Sequence, residues 1–470
     1  MKKYIVFIAI LIFILPLYVL AQQSDSLTTG QQLWLTKSFR TEKAGWIYLH
    51  LEGNAQERGF QHGYLLAKEI NQAIQTRAEL WRYQTAMDWL WLVRKAGELF
   101  TPKVDSELVA EINGMADGMK AAKYFVTRDE LITLNGFFEL AWYWWPTVKD
   151  SISPNAIEPK KQSCSSFIAT GSMTTDGKIV LGHNSMVDFP EADCNIVLDI
   201  IPDSGHRMLM QTFTGWIHSG TDFFVTDAGL VGSETTIGGF FPFDTSGVPE
   251  FSRMRHATQY ANNIDEWCEI MKKNNNGGYA NAWLLGDINT NEIARLELGL
   301  KQIGFEKKQD GYFTGSNIAE DLKLLRFETH ADDTNIKLSS IARRVRWNQL
   351  MKEYKGKINV ETAKLFEADH FDTYLKMNNP SGRTLCGHDE LDPRYSSSGT
   401  PYDAGGSIDG KVLDATMAKE MSFAGRWGSS CGTPFDAKKY LEAHPQFGWM
   451  SGLIKDRPSQ PWVIFKAGEK

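Results

Sequence analysis

An α+β fold is what this sequence predicts, from three observations. Helical spacing of apolar residues dominates the region before residue 150. A polar stretch at 151–162, with Pro154, Pro159, Lys160 and Lys161, then interrupts the pattern. Beyond it come several short β-prone segments in succession, after which helices return. Helices and strands gathered into blocks point to segregated layers rather than alternating β-α units.

Taken in order, residues 45–51 alternate as a strand. Phe60, Tyr64, Leu65, Ile70 and Ile74 keep helical spacing within a helical stretch over 56–100. Residues 106–120 predict a helix capped by Asp105 or Ser106, and its Glu111 and Asp117 read as exposed acids. Thr127-Arg128-Asp129-Glu130 is a capping box that opens a helix running to Trp144 and stopped by Pro146. The cluster Trp142-Tyr143-Trp144-Trp145 at its end reads as core. Strands are predicted at 165–173, 178–183, 194–201, 207–214, 223–226 and 230–236, with Asp176-Gly177 as the first turn. Helices at 252–261 and 264–273 precede strands at 282–285 and 292–298.

Composition narrows the function. The formal net charge is −7 and no basic run occurs, so nucleic acid is not an expected partner. No P-loop, no Gly-x-Gly-x-x-Gly after a strand, no His-Glu-x-x-His and no Cys-x-x-Cys is present; neither a metal nor an organic cofactor is expected. Lys2 and Lys3, the apolar run 4–20 and Val19-Leu20-Ala21 before Gln22 form a secretory signal peptide over 1–21. An uncleaved anchor helix is the alternative. The expected address is periplasmic or extracellular. Nothing later in the chain is long and apolar enough to span a membrane.

Five cysteines are an odd number for an exported chain. One reading leaves Cys164 free and allows up to two disulfides among the others; the second leaves all five unpaired. Cys164 opens a strand directly after the polar stretch. Cutting between Ser163 and Cys164 would give that residue both a thiol and a free α-amine. The amine titrates near ~7.7–8.0, close enough to neutrality to serve the thiol as general base. The division expected is therefore 22–163, a mostly helical segment with a linker, and 164–470, the catalytic domain.

Cys164-Ser165-Ser166, Gly182-His183-Asn184-Ser185, Glu234-Thr235-Thr236-Ile237, Asn276-Gly277-Gly278-Tyr279-Ala280-Asn281-Ala282-Trp283, Gly406-Ser407-Ile408-Asp409-Gly410-Lys411 and Pro445-Gln446-Phe447-Gly448-Trp449 occur in that order. Together with Gly45-Trp46 they resemble the phospholipase B-like proteins. These are N-terminal-nucleophile (Ntn) hydrolases, related to bile-salt hydrolases and to the penicillin acyltransferase group. The resemblance implies an αββα four-layer sandwich, processing before Cys164 and hydrolysis of an acyl ester or amide. The implied partner is an acylated small molecule, a phospholipid or an N-acyl amide, with transient contact at a membrane surface; a lipid-binding protein that has lost catalysis is the non-enzymatic alternative. Oligomeric state stays open.

By position, the resemblance makes Cys164 the nucleophile and Asn317 the oxyanion donor. His183, Asn184, Thr236, Asn281 and Arg343 stand at or beside the site. Met186 stands where the relatives carry an aspartate; either Asp188, two residues further, is expected to hold the amine instead, or no carboxylate does. Plain alternatives exist for several. His183 and Asn184 suit a turn, Thr236 a strand, Asn281 a backbone hydrogen bond and Arg343 a solvated basic helix face. Glu57-Arg58-Gly59-Phe60-Gln61-His62-Gly63 is expected to position the helical segment.

Overall fold

The computed structural model describes residues 27–156, 159, 163–192, 194–220, 223–394 and 399–470. The expected signal peptide, the linker residues Lys160, Lys161 and Gln162, and the Ser163 side chain lie outside this set. The strands are β1 (Phe39–Lys43), β2 (Trp46–Gly53), β3 (Ser163–Thr170), β4 (Val180–Asp188), β5 (Asn195–Pro202), β6 (Met208–Phe213), β7 (Phe223–Thr226), β8 (Leu230–Thr236), β9 (Asn281–Asp287), β10 (Glu292–Leu298), β11 (Ile303–Lys308), β12 (Gly311–Gly315), β13 (Phe371–Asp372), β14 (Met377–Asn378), β15 (Gly405–Asp414), β16 (Ser422–Trp427) and β17 (Val463–Lys466). Nine of them form one sheet, in the order β1-β2-β5-β6-β7-β8-β9-β10-β11. Six form a second, β12-β3-β4-β15-β16-β17. Neighbours are antiparallel throughout, except the parallel pair β2–β5.

Three apolar clusters set four layers. Ile168, Leu181, Leu413 and Phe423 of the six-stranded sheet meet Val197, Leu209, Val231 and Ile293 of the nine-stranded sheet. The outer face of the larger sheet packs on the helices of the N-terminal half and on Glu250–Tyr260 and Ile264–Lys272. The outer face of the smaller sheet packs on Ser339–Glu353 and Val360–Glu367 through Trp347, Leu350, Ala363 and Phe366. The arrangement is the expected α+β sandwich, helix-sheet-sheet-helix. The segment before Cys164 is not helical alone, since it supplies β1 and β2 to the larger sheet.

The helical stretch 56–100 resolves into Ala55–Leu65, Ala67–Thr85 and Trp89–Leu99. Its second break is at Ala86, whose φ of 59° ends the middle helix in a left-handed cap. The helix expected to run from the capping box to Trp144 ends at Asn135. A short helical turn, Phe137–Glu139, and a π-helical turn, Leu140–Trp144, follow it. Pro146 starts a helix rather than stopping one: it sits in the first turn of Trp145–Ile152, where its missing N–H is not needed. The aromatic cluster there is buried.

Ala55–Leu65 crosses Ser106–Ala121 at very close range, because both faces are glycine. A Cβ on Gly59 would lie 1.8 Å from the Glu111 carbonyl oxygen, and one on Gly118 2.2 Å from that of Phe60. Glu111 is not an exposed acid. It is 1% exposed and pairs with Arg58 and Arg255.

Close to it, burial holds His62 down at about 4, opposed by Glu111 and helped by Arg255. Burial, with Arg255 beside it, holds His218 at about 3. The unfolded chain takes up these protons near 6.5 and the folded chain only near 4 and 3. The unfolded state therefore binds more protons in that window, and stability is lost as pH falls through it. Urea midpoints measured from pH 7 to 4 should decline, and His62→Gln should make the decline shallower.

Among the described residues no helix is long and apolar enough to cross a membrane.

Candidate active site

Cys164 is the second residue of β3 and is 4% exposed. Its register partner on β4 is Ser185, and that of Ser185 on β15 is Asp409. Two residues along, Ser166, His183 and Lys411 form a parallel row. Side chains alternate along a strand, so the two rows share a face. That face is the inter-sheet one, because Ser166 Oγ lies 2.6 Å from Ser233 Oγ on β8 of the opposite sheet. Ser165 and Asn184 consequently point to the outer helical layer.

The backbone of residue 164 is gripped from two other elements. Its N–H donates to Asn317 Oδ1 at 3.0 Å. Its carbonyl accepts from Arg343 Nη1. Arg343 also donates to Ser165 Oγ (3.1 Å), to Asn317 Oδ1 (2.8 Å) and, through Nε, to Ser339 Oγ (2.9 Å). Register places Asn317 here. β12 ends with Gly315 opposite Ser166, and two residues further the chain reaches Cys164. Asn317 has φ 63°, a conformation that asparagine tolerates better than most side chains. Arg343 is 1% exposed on the inner side of Ser339–Glu353 and does not lie on a solvated face.

Lys411 ties the inter-sheet rows together. Its ammonium donates to Ser185 Oγ at 2.7 Å, to Gln211 Oε1 on β6 at 3.3 Å and to the Asp409 carboxylate. Asp409 also accepts from the Ser185 N–H (3.2 Å) and from Asn195 Nδ2 (2.7 Å). Burial first, and Lys411 second, keep His183 neutral, its pKa well below the ordinary value. Its Nε2 is 2.9 Å from the Glu234 carbonyl, which only accepts, so Nε2 carries the proton. Burial pushes the Cys164 thiol well up and the Glu234 carboxylate adds to this, with Lys411 opposing. The thiol in the uncut chain is therefore protonated and needs a base.

The other expected residues divide. Thr236 offers its carbonyl to Asn317 Nδ2 (2.8 Å), and its hydroxyl donates to the Tyr279 hydroxyl, which reaches Glu234 Oε1. Asn317, expected as the oxyanion donor, thus spends its amide N–H on Thr236 and turns its oxygen to the Cys164 nitrogen. Asn281, the register partner of Thr236, is fully buried, and neither atom of its side-chain amide has a hydrogen-bond partner. Asn184 is structural: its Nδ2 donates to the Glu367 and Leu385 carbonyls on the outer layer.

Asp188 does not reach the amine position. It lies three residues past Ser185, about 10 Å along the strand, opposite Gly405. There it adds to the negative field of Asp403 and Glu390 around Tyr440.

Lys411 and Asp409 escaped sequence reasoning as site residues. Their signal was a lysine and an aspartate within Gly-Ser-Ile-Asp-Gly-Lys, a β-strand segment whose charged residues have zero exposure.

Arg343 supplies the charged half of the grip on residue 164. Arg343→Lys keeps charge but loses the fork, and should slow any cut before Cys164 by about 10–100-fold, the worth of one or two charge-assisted hydrogen bonds. Time-resolved gels of the freshly made chain measure this.

Comparison with known proteins follows the same line. The family model described as Phospholipase B matches residues 21–302, more than half of the chain. Asn317, Arg343, Asp409 and Lys411 lie beyond the matched stretch. An uncharacterized protein of Archaeoglobus fulgidus is 26% identical over 247 residues, 50% of this chain and 40% of that protein. Phospholipase B-like 2 of Bos taurus is 35% identical over 89 residues, 18% of this chain and 15% of that protein. The alignments thus span less than half the length of these curated relatives. Among solved structures, a mutant conjugated bile acid hydrolase from Clostridium perfringens is 10% identical with a TM-score of 0.34, covering 56% of this chain and 89% of its own. Penicillin V acylase from Agrobacterium tumefaciens is 11% identical with a TM-score of 0.29, covering 56% and 83%.

Proposed function

We propose, from the premise that the chain belongs to the phospholipase B family, that it is an exported acyl hydrolase which cuts itself before Cys164 and then uses that thiol as its nucleophile. The observation that carries this reading is the grip on residue 164. A cysteine one residue into β3 has its N–H on Asn317 Oδ1 and its carbonyl on Arg343, both from distant parts of the chain.

In the maturation step Cys164 Sγ adds to the Ser163 carbonyl carbon and its proton leaves with a base. The C–N bond then breaks as the nitrogen takes that proton back from the base, leaving a thioester on sulfur. Water hydrolyses the thioester to a carboxylate ending at Ser163 and a free Cys164 amine. Asn317 Oδ1, already on that nitrogen, then orients the amine. The two pieces stay together because β2 pairs with β5 across the cut.

In turnover the amine takes the thiol proton, and the thiolate attacks an ester or amide carbonyl. We assign the resulting oxyanion to the Asn281 amide, which has no hydrogen-bond partner of its own. The ammonium protonates the leaving group, and water activated by the same amine releases the acid. Phospholipid deacylation is the first expectation for the substrate, with N-acyl amides as the comparison class.

The test is N-terminal sequencing of the purified protein, followed by a panel of diacyl phospholipids and N-acyl amides. Expected are a fragment beginning at Cys164 and hydrolysis that is lost on thiol alkylation. A chain that stays intact and does not react with an acylating thiol probe would overturn the proposal.

A further inference from the structure

Behind β4, on the side away from the inter-sheet face, four side chains converge from three separate segments of the chain. His370 follows the helix Val360–Glu367, Cys386 and His388 lie in the loop after it, and Cys431 follows β16. Their ligand atoms all lie within 4.8 Å of one another. His388 Nε2 is 3.5 Å from Cys386 Sγ and 3.4 Å from Cys431 Sγ. None of the chain's five cysteines is in a disulfide.

We propose that His370, Cys386, His388 and Cys431 bind one zinc ion as a closed structural Cys2His2 site. The sequence spacing excluded the usual zinc motifs, but the fold assembles a ligand set from three separate segments.

Three observations carry this. The first is distance. A tetrahedral zinc with Zn–S of about 2.3 Å and Zn–N of about 2.0–2.1 Å has an S···N edge of about 3.5–3.6 Å. The two S···N separations at His388 match that edge. The second is the tautomer. His388 Nδ1 is 2.9 Å from Glu390 Oε1, a carboxylate that accepts the Nδ1–H. Nε2 is then left with a lone pair, aimed at two sulfurs. This carboxylate–histidine pairing is the usual support of a metal-bound imidazole. The third is His370, whose buried Nε2 has no hydrogen-bond partner. Its ring meets that of His388 at 5.1 Å between centroids. Each of the four side chains can offer a lone pair to one point, and a single cation there would engage all four at once.

Two thiolates also neutralise a divalent ion, which suits a place where Cys386 is 0% and His388 2% exposed. Cys431 Sγ accepts from the Thr433 N–H (3.4 Å), a contact that favours a thiolate, and lies 3.1 Å from the Thr433 hydroxyl. Four protein ligands of this type select zinc over hard cations and leave no open position for catalysis.

The site's place in the fold gives it a purpose. Cys386 follows Leu385, whose carbonyl receives Asn184 Nδ2. Cys431 follows Ser430, whose hydroxyl donates to Asn184 Oδ1. The ion would therefore pin the loops that hold the back of β4, whose other face carries His183 and Ser185 beside Cys164.

Metal analysis of the full-length protein, purified in reducing buffer without chelator, tests this. About one zinc per chain is expected, and cobalt(II) exchanged into the site should give the intense visible bands of a tetrahedral thiolate complex. Cys431→Ser and His370→Ala, checked for folding by circular dichroism, should each retain less than about a tenth of the zinc after dialysis. Glu390→Gln should weaken zinc affinity by about 10–100-fold while leaving all four ligands in place. The proposal is overturned if the wild-type chain holds no stoichiometric zinc after exposure to the metal and gel filtration. It is overturned equally if zinc persists at full stoichiometry in Cys386→Ser/Cys431→Ser, or if mass spectrometry finds Cys386 and Cys431 joined as a disulfide in the zinc-supplemented protein.

Discussion

Cys164→Ala should accumulate as a single uncut polypeptide and lose acyl hydrolysis by at least about 10^4-fold, the scale on which losing a nucleophile acts. No neighbour is free to replace the thiol. Ser166 Oγ is engaged by Ser233 and donates to the Gly182 carbonyl, and Ser185 Oγ accepts from Lys411. Both hydroxyls lie on the same face as Cys164 yet are already committed. The fold should survive, because removing one sulfur atom leaves a small void worth about 1 kcal/mol. Circular dichroism and the urea midpoint check this. Cys164→Ser keeps an attacking atom and should process slowly, being a weaker nucleophile than the thiolate. A gel time course with N-terminal sequencing separates the outcomes. Efficient cutting of Cys164→Ala at the same bond would mean that an outside protease makes the cut. Full hydrolysis by that variant would remove Cys164 from the chemistry.

How far the chain could be read depends on where each residue finds its partner. Short strands bounded by turn residues were legible, β7 (Phe223–Thr226) and β8 (Leu230–Thr236) to the residue. The helix expected at 252–261 is found at Glu250–Tyr260. Less legible were strands whose character comes from the sheet around them. β12 is five residues bounded by glycines, and β15 carries Asp409 and Lys411 toward the core, so neither shows an apolar pattern. The break at Ala86 has no proline or glycine to announce it. At the site, Cys164, Asn317 and Arg343 come together because strand register and one helix face place them so. Asp188 failed for a reason the sequence also held: three residues of extended chain put it too far along the strand. The division of labour at Asn317, oxygen to the nucleophile's nitrogen and N–H to Thr236, is a property of packing and left no trace in sequence. Glu111 was misread for the same reason. An acid on a helix shows its role only through its partners, here 53 and 144 residues away.

Those partners make Glu111→Leu the substitution with the largest expected effect on stability. Glu111 Oε2 accepts from Arg58 Nε at 3.2 Å and Nη2 at 2.8 Å, and from Arg255 Nη2 at 3.0 Å. Its Oε1 accepts from Arg255 Nη1 at 3.0 Å. All three residues are at most 1% exposed. Burial alone would raise the carboxyl's pKa, but Arg255 and Arg58 outweigh it and hold the group below its ordinary value. Leucine matches the volume but leaves two guanidiniums buried with one charge partner fewer. Arg58 retains the Gly53 carbonyl and the partly exposed Glu107, and Arg255 retains Gln259 and the Ile217 carbonyl. Breaking one side of such a group costs about 3–5 kcal/mol. That is a large part of the ~5–15 kcal/mol that holds a typical domain together. The crossing of Ala55–Leu65 over Ser106–Ala121 has no slack to absorb the change, since backbone meets backbone at Gly59, Gly63, Gly114 and Gly118. Glu111→Gln, which still accepts one hydrogen bond, should lose less than leucine. The order wild type, Gln, Leu in urea midpoint at pH 7 is the expected result. A leucine variant as stable as wild type would mean that the two arginines find other partners or water in the folded chain.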